Sequence, residues 1–574
     1  NVNNKVGPDL ASPDVSDDGA VHASDKTKYV TEKKPEVYDL KKYNIDAISQ
    51  DDKCFLPTQF LANFFYRWTG SDFLYNGMDF YLSAGLMSNM IPVLNQSYFA
   101  NKLTFQALEG VDATSTTPLN DEAYRFVFPV KKDDKTIYRF LSLTNDGKGR
   151  ILEGLHPTDV GEKVENQQVT YSYTWKKTAN SILVDTFATG RDEQGNEQTV
   201  PRGTAKIPLR ETFYAIKTRP QAIIDFSYDL LRFQFDNFYG LKDVLNYTSF
   251  EDYLAKNNLS DKIKSADSAV YDEAVAQLMN NNVDDGHTRY SLPSIFTGKS
   301  QSHGDELAKK YIGTRYQILL DKRTEYLTLR KNTLHLENEN DGVGYFTSGN
   351  TAVIRFDLFV NLGTWITNVY EKDEAENTDP GVAFKNSDVA LGFDASFARI
   401  KKNNSIKNVV IDVTCNGGGQ VSLLPYIIAH FSSDPTINIK DVAMGVVKEF
   451  HYSVDLNHDK VYGGEGDTYQ GKYNFYVLTS DFSFSCANFL ATAAKSSNIK
   501  IIGKKSGGGA CSVGAFSDGS GSLYNFSSPQ VAVLKKDNEY VHTDAGVDVD
   551  YELDSSSWYD LAKLDAFLNN LQNK

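Results

Sequence analysis

The chain of 574 residues is 41% hydrophobic and 12% aromatic, which excludes a disordered polymer and supplies cores for about three folding units at roughly 100 to 200 residues each. Its formal charge of −16 excludes a phosphate-tracking surface, because nucleic-acid binders concentrate Lys and Arg to release counterions; nucleic acid is not an expected partner. No run approaches the roughly 18 uninterrupted apolar residues of a bilayer span, so no transmembrane segment is expected.

Residues 1–36 are polar and charged and read as a flexible N-terminal tether, of the kind that follows a removed or lipidated targeting segment. That reading places the protein outside the cytoplasm, secreted or anchored at the cell surface. Residues 37–215 read as a mixed, β-rich N-terminal domain. Its aromatic cluster (Phe60, Phe64, Phe65, Tyr66, Trp68) is expected to fill a core. The alternating runs 124–128 and 169–175, with turns such as Asn145-Asp146-Gly147 between them, predict antiparallel strands. From 216 to 295 the period changes. Ile224, Tyr228, Leu231, Phe235 and Phe238 recur at helical spacing, and 269–279 reads as a second helix.

Residues 296–574 read as an α/β core. The short branched runs 352–356, 409–413, 475–479 and 499–502 predict buried strands. Helical stretches at 421–431 and 487–495 lie between them, which predicts a mostly parallel sheet with crossover helices. In such sheets sites form at the carboxyl ends of strands. The four cysteines (Cys54, Cys415, Cys486, Cys511) lack CxxC spacing and are too few for a disulfide scaffold, so they read as thiols.

Three turns carry the chemistry. After the strand at 475–479 comes Ser480-Asp481-Phe482-Ser483-Phe484-Ser485-Cys486-Ala487, with Ser485 at a helix entrance where free amides favour developing negative charge. Taken alone, this segment reads more simply as an N-cap at Ser483 or Ser485. After the strand at 409–413 comes Cys415-Asn416-Gly417-Gly418-Gly419, whose glycines let backbone amides approach a ligand, as an oxyanion hole requires, or simply make a turn. The third is Asp284-Asp285-Gly286-His287-Thr288, which either projects an imidazole into a cleft or caps a helix.

Together these turns resemble the C-terminal processing (tail-specific) serine peptidases over roughly residues 216–574. Family members carry a Ser-x-Ser-Ala/Cys segment whose second serine is the nucleophile, matching Ser485. Their Asp-Leu-Arg-x-Asn-x-Gly-Gly turn matches residues 412–419, and their late Gly-Val-x-Pro-Asp segment matches residues 546–550. The processing branch places a lysine base in a Gly-Lys-Gly-like turn. The stretch here reads Ser506-Gly507-Gly508-Gly509-Ala510-Cys511 and has no lysine; nearby Lys504 and Lys505 read as solvated charges. The tricorn-like branch instead takes its base from an Asp-Gly-His-Thr turn, which is His287 here. An imidazole with an ordinary pKa near 6.5 can also deprotonate a serine at neutral pH without first being desolvated.

The resemblance implies a ClpP/crotonase-like α/β core and acyl transfer on peptide or protein substrates, with no cofactor and no metal. It implies Ser485 as nucleophile, His287 as base, Asp544 as the third member, and amides of Cys486 and of Gly418 or Gly419 as the oxyanion hole. A PDZ domain is not expected, since only about 55 residues separate His287 from Val343 and such a domain needs more. The rival is a catalytically inactive binding protein on the same scaffold, as in retinoid-binding members of the superfamily. An esterase with a Gly-x-Ser-x-Gly elbow is excluded by the residues around Ser485.

Overall fold

The computed structural model describes residues 218–336, 343–360 and 388–572 apart from isolated positions, together with strands and turns lying between 21 and 208. The aromatic cluster at 60–68 lies outside the described residues. Two short strands, β1 (Val21–Ala23) and β2 (Lys28–Thr31), come first. A six-stranded antiparallel meander then runs through β3 (Glu122–Lys132), β4 (Lys135–Thr144), β5 (Lys148–Gly154), β6 (Thr170–Lys177), β7 (Ser181–Arg191) and β8 (Glu197–Pro208). Of these, β3 covers the alternating run 124–128 and β6 all but the first residue of the run 169–175.

The helical segment follows with α1 (Gln221–Asn237) and α2 (Ser268–Gln277). The aromatic stripe of α1 is core: Phe235 and Phe238 are fully buried, and Phe235 stacks on Phe250 at 3.9 Å. Strand β9 (Arg289–Leu292) comes next, then two helices for which the sequence pattern gave no warning, α3 (Gln301–Lys310) and α4 (Thr314–Leu334). Most of α4 faces solvent, burying only Leu319, Tyr326 and Arg330. Its apolar periodicity is correspondingly faint.

Beyond residue 343 the chain builds two sheets. The first consists of β10 (Gly344–Ser348), β11 (Thr351–Arg355), β12 (Asn408–Asp412), β15 (Asn474–Thr479), β16 (Lys500–Gly503) and β20 (Tyr551–Glu552), in that order, parallel except for the β10–β11 hairpin. Ile354, Ile411, Val477 and Ile501 stand in register across it and are fully buried. That dryness on both faces is why these strands are continuous apolar runs. Helix α5 (Val389–Lys402) crosses from β11 to β12, and α6 (Leu424–Ala429) follows β12.

The second sheet is antiparallel and was not expected from the pattern. Strands β13 (Thr436–Asp441) and β14 (Val446–Val454) join β18 (Leu523–Lys536), with β17 (Cys511–Ser517) and β19 (Glu539–His542) also pairing with β18, and β9 closing one side. The tether expected over 1–36 needs correcting in part, because β1 and β2 pair with β14 and cover its open edge. Val21 is fully buried there, and Lys28 Nζ lies 2.7 Å from Glu449. An unpaired edge leaves a row of backbone donors and acceptors unsatisfied, and even a mostly polar segment with two valines, Val21 and Val30, fills it.

Between the two sheets runs α7 (Cys486–Ser496), touching β15 and β16 on one side and β13 and β18 on the other. Every residue from Cys486 to Ala494 is buried. A helix wedged between sheets has to be slim, which accounts for Ala487, Ala491, Ala493 and Ala494. The C-terminal helix α8 (Leu561–Gln572) packs on β10.

Candidate active site

The turns after β12 and β15 lie side by side at the carboxyl ends of neighbouring parallel strands. Buried hydroxyls lace them together. Ser480 Oγ donates to Thr414 O at 2.5 Å, and Ser483 Oγ donates to Val413 O at 2.7 Å. Phe484 N then donates to Asn416 O at 3.1 Å, which carries the chain to the start of α7.

Ser485 occupies the N-cap position of α7 with φ 56° and ψ −120°, and its side chain caps nothing. A side chain bearing a β-carbon adopts such a backbone at a cost of about 1–3 kcal/mol, and only where the surroundings enforce it. Here they do. Ser485 N donates to Gly508 O at 2.9 Å, and Ser485 O accepts from Phe489 N at 2.9 Å as the first bond of the helix. The consequence is a half-buried hydroxyl held off the helix rather than folded back onto it. Ser483, fully buried and bonded to Val413, is the structural serine of the pair.

Gly418 abuts this hydroxyl. A β-carbon at Gly418 would stand 2.6 Å from Ser485 Cβ, 2.9 Å from Ser485 Oγ and 3.1 Å from Cys486 N. Cys486 is the first residue of α7, so its amide has no intrahelical acceptor. The Gly418 amide is already committed, donating to Asn416 Oδ1 at 2.8 Å, while Asn416 Nδ2 holds Phe356 O at 2.9 Å. Gly419, at φ 133°, lies against the Phe359 backbone, where a β-carbon would sit 2.4 Å from its carbonyl oxygen. Fully buried Asn416 therefore sets the glycine turn. Its signal in the sequence is an asparagine two residues before a glycine whose amide it accepts, an Asx-turn pattern.

His287 arrives from the helical segment. Asp285 folds its turn: Oδ1 accepts from His287 N at 2.8 Å and Thr288 N at 2.6 Å, and Oδ2 accepts from Tyr239 OH at 2.8 Å and Thr288 Oγ1 at 2.7 Å. Asp284 caps α4 from outside, accepting from Arg315 N at 2.7 Å and Tyr316 N at 3.2 Å, because the helix's own N-cap residue is Gly313. The imidazole of His287 is buried, packs on the Phe484 ring at 4.8 Å, and its Nε2 makes no hydrogen bond. Gly286 and Gly509 lack side chains where that ring lies; a β-carbon would come within 2.6 Å and 2.5 Å of it respectively. Phe484 thus joins the His287 turn to the residue just before Ser485. Burial pushes the imidazole below its ordinary pKa, Asp285 and Asp544 pull it back up, and Arg315 adds to the lowering.

Asp544 is buried beside this cluster. Its Oδ1 accepts from Ala510 N at 3.1 Å, its Oδ2 pairs with Arg315 Nη1 at 3.0 Å, and its carbonyl accepts from Arg315 Nη2 at 3.1 Å. Among the described residues no hydrogen bond joins Asp544 or Asp285 to the His287 ring. Of the two lysines near the glycine stretch, Lys505 is exposed and pairs with Asp548, and Lys504 lies near the Tyr326 hydroxyl at 3.4 Å. Cys415, Cys486 and Cys511 are free and buried. No group of three or more His, Cys, Asp or Glu among the described residues is arranged to hold a metal ion.

Residues 383–553 match the model of peptidase family S41. The matched stretch is an S41-like core. That core contains Ser485, Cys486, Gly418, Gly419 and Asp544, and leaves His287, Arg315 and all of α4 outside the matched stretch. No curated protein matches the chain. Similar solved structures include a candidate peptidase from Parabacteroides merdae, with 16% identity over 61% of this chain and 95% of that one, at a TM-score of 0.40. A lipoprotein from Streptococcus agalactiae shares 12% identity over 62% of this chain and 97% of that one, at a TM-score of 0.35. Likenesses this distant carry no functional argument.

Proposed function

We propose that this protein is a serine peptidase that hydrolyses peptide bonds by acyl transfer, with Ser485 as nucleophile and His287 as general base. The observation that carries the reading is the strained backbone of Ser485, which holds its hydroxyl beside the Gly418 backbone and the first amide of α7. Strain of this kind persists where it serves a site. In this mechanism Ser485 Oγ attacks the scissile carbonyl, and His287 takes its proton and returns it to the leaving amine. Water then repeats the sequence on the acyl-enzyme.

The developing oxyanion is held by the Cys486 amide, with the N-terminal end of α7 adding favourable potential. Gly419 supplies the second donor in this reading, since the Gly418 amide is occupied by Asn416. Asp544 contributes negative charge near the imidazole. The same reading takes the parallel sheet with its covering helices as a ClpP/crotonase-like core, and the substrates as peptides or proteins.

Labelling with a fluorophosphonate tests it. A mass increase on the peptide containing Ser485, absent in Ser485→Ala and in His287→Ala, is the expected result. Unlabelled parent protein that also cleaves no peptide would favour the binding-protein rival.

A further inference from the structure

We propose that Arg315 is a positioning residue of this site, clamping the His287 turn against the Ser485 core and setting the charge balance around the imidazole through Asp544. The inference rests on His287 being the base.

Arg315 is the second residue of α4, and it joins two parts of the chain that have no covalent reason to keep register. Its backbone amide donates to Asp284 Oδ2 at 2.7 Å, three residues before His287. Its guanidinium grips Asp544 twice, at the carboxylate (3.0 Å) and at the backbone carbonyl (3.1 Å). Asp544 is in turn packed on Gly508, where a β-carbon would meet its carbonyl oxygen at 1.8 Å, and Gly508 O accepts the amide of Ser485. A polar path from the histidine turn to the nucleophile therefore runs through Arg315, beside the apolar contact that Phe484 makes with His287. Helix α4 is itself fixed to the core, with Leu319 buried near Gly507 and Tyr326 OH donating to Asp481 at 2.5 Å.

The second half of the role is electrostatic. The groups acting on the imidazole are Asp285 from its own turn, Asp544 from the C-terminal segment and Arg315 from α4. Asp284, Tyr239 and His542 stand one layer further out, Asp284 on the α4 amides, Tyr239 on Asp285, and His542 Nδ1 accepting from Asp544 N at 3.4 Å. Asp544 is 3% exposed at its side chain and Arg315 30%, so their attraction is only partly screened. With the guanidinium present, Asp544 is held in place while its pull on the imidazole is tempered. Without it, the full carboxylate charge favours the imidazolium.

The test follows His287 directly, independently of turnover. In the full chain labelled with 13C at histidine Cε1 and carrying Ser485→Ala, the His287 resonance, assigned by its loss in His287→Gln, is titrated with and without Arg315→Gln. Arg315→Gln should raise the His287 midpoint by about one pH unit, and Arg315→Lys should lie nearer the parent. The double variant Arg315→Gln/Asp544→Asn removes both charges and should return toward the parent. In the active enzyme the rising limb of kcat/KM should move by the same amount in Arg315→Gln. A His287 midpoint unchanged in a folded Arg315→Gln protein would overturn the proposal. A midpoint that moves while the kinetic limb stays fixed would uphold the charge effect of Arg315 on the imidazole and overturn His287 as the base.

Discussion

The turn that presents Ser485 and the turn that presents His287 are built in opposite ways. The serine lies between β15 and α7, inside the stretch that matches family S41, and is shaped by groups from two neighbouring strand ends: Val413, Thr414 and Asn416 after β12, and Gly508 after β16. The histidine comes from the helical segment outside that stretch. It is held by carboxylates, with Asp285 bonded to Tyr239 and Thr288, and Asp284 bonded to α4. A nucleophile made by sheet geometry is rigid because the sheet is. A base brought in on a separate segment is only as well placed as the polar contacts that hold it, so the two turns should fail differently when broken.

The largest effect belongs to Ser485 itself. Ser485→Ala should remove acyl-enzyme formation and reduce kcat by roughly 10⁴-fold or more while the circular dichroism spectrum is retained, since one hydroxyl leaves little cavity. Parental turnover of a peptide by this variant would show that the strained serine is not the nucleophile.

Gly418→Ala comes next. The new methyl would press on Ser485 Cβ and Oγ at a backbone φ of 109°, where side chains are strained. Loss of about 10²- to 10³-fold in kcat is expected, with urea stability moving far less than activity. Comparable losses in stability and activity would mean that the glycine serves the fold alone.

Breaking the histidine turn should show the contrast. Asp285→Ala orphans the amides of His287 and Thr288 and the Tyr239 hydroxyl, each buried donor costing about 1–3 kcal/mol. Denaturant midpoint and activity should therefore fall together, unlike Gly418→Ala. An Asp285→Ala protein with full stability and no activity would assign Asp285 a part in the chemistry.

The pH dependence separates the turns more finely. Burial lowers the His287 imidazole below its ordinary 6.5, so the rising limb of kcat/KM should lie below that value. Between the folded and unfolded midpoints the unfolded chain binds more protons, so this group's contribution to stability is complete above about pH 6.5 and declines as pH falls. His287→Gln should flatten that slope in urea melts run from pH 7 to pH 5. An unchanged slope would place the titration elsewhere.

The smallest effects test the residues set aside. Ser483→Ala should cost about 1 kcal/mol of stability through its bond to Val413 and leave the labelling of Ser485 intact. Lys505→Ala should change stability by less than about 0.5 kcal/mol, because its pair with Asp548 is exposed. Inactivation by Lys504→Ala or Lys505→Ala would restore a lysine base.

Much was legible in the amino-acid order. The strands at 352–356, 409–413, 475–479 and 499–502 lie within a residue of β11, β12, β15 and β16, because strands dry on both faces must be continuous apolar runs whatever surrounds them. The helix after Ser485 and the glycine turn after β12 were legible for the same reason, being local consequences of Ala and Gly content. What the order left open was decided by partners distant in the chain. Whether Ser485 is a cap or a freed hydroxyl depends on Gly508 and Gly418, which hold it at a positive φ that no neighbouring residue demands. Residues 21–31 became strands because β14 had an edge to fill, and α4 formed on a surface where apolar spacing is faint. Arg315 carries no motif at all. Its place between Asp284 and Asp544 exists only once α4 has docked, because a hydrogen bond spanning 229 residues leaves no trace in local pattern.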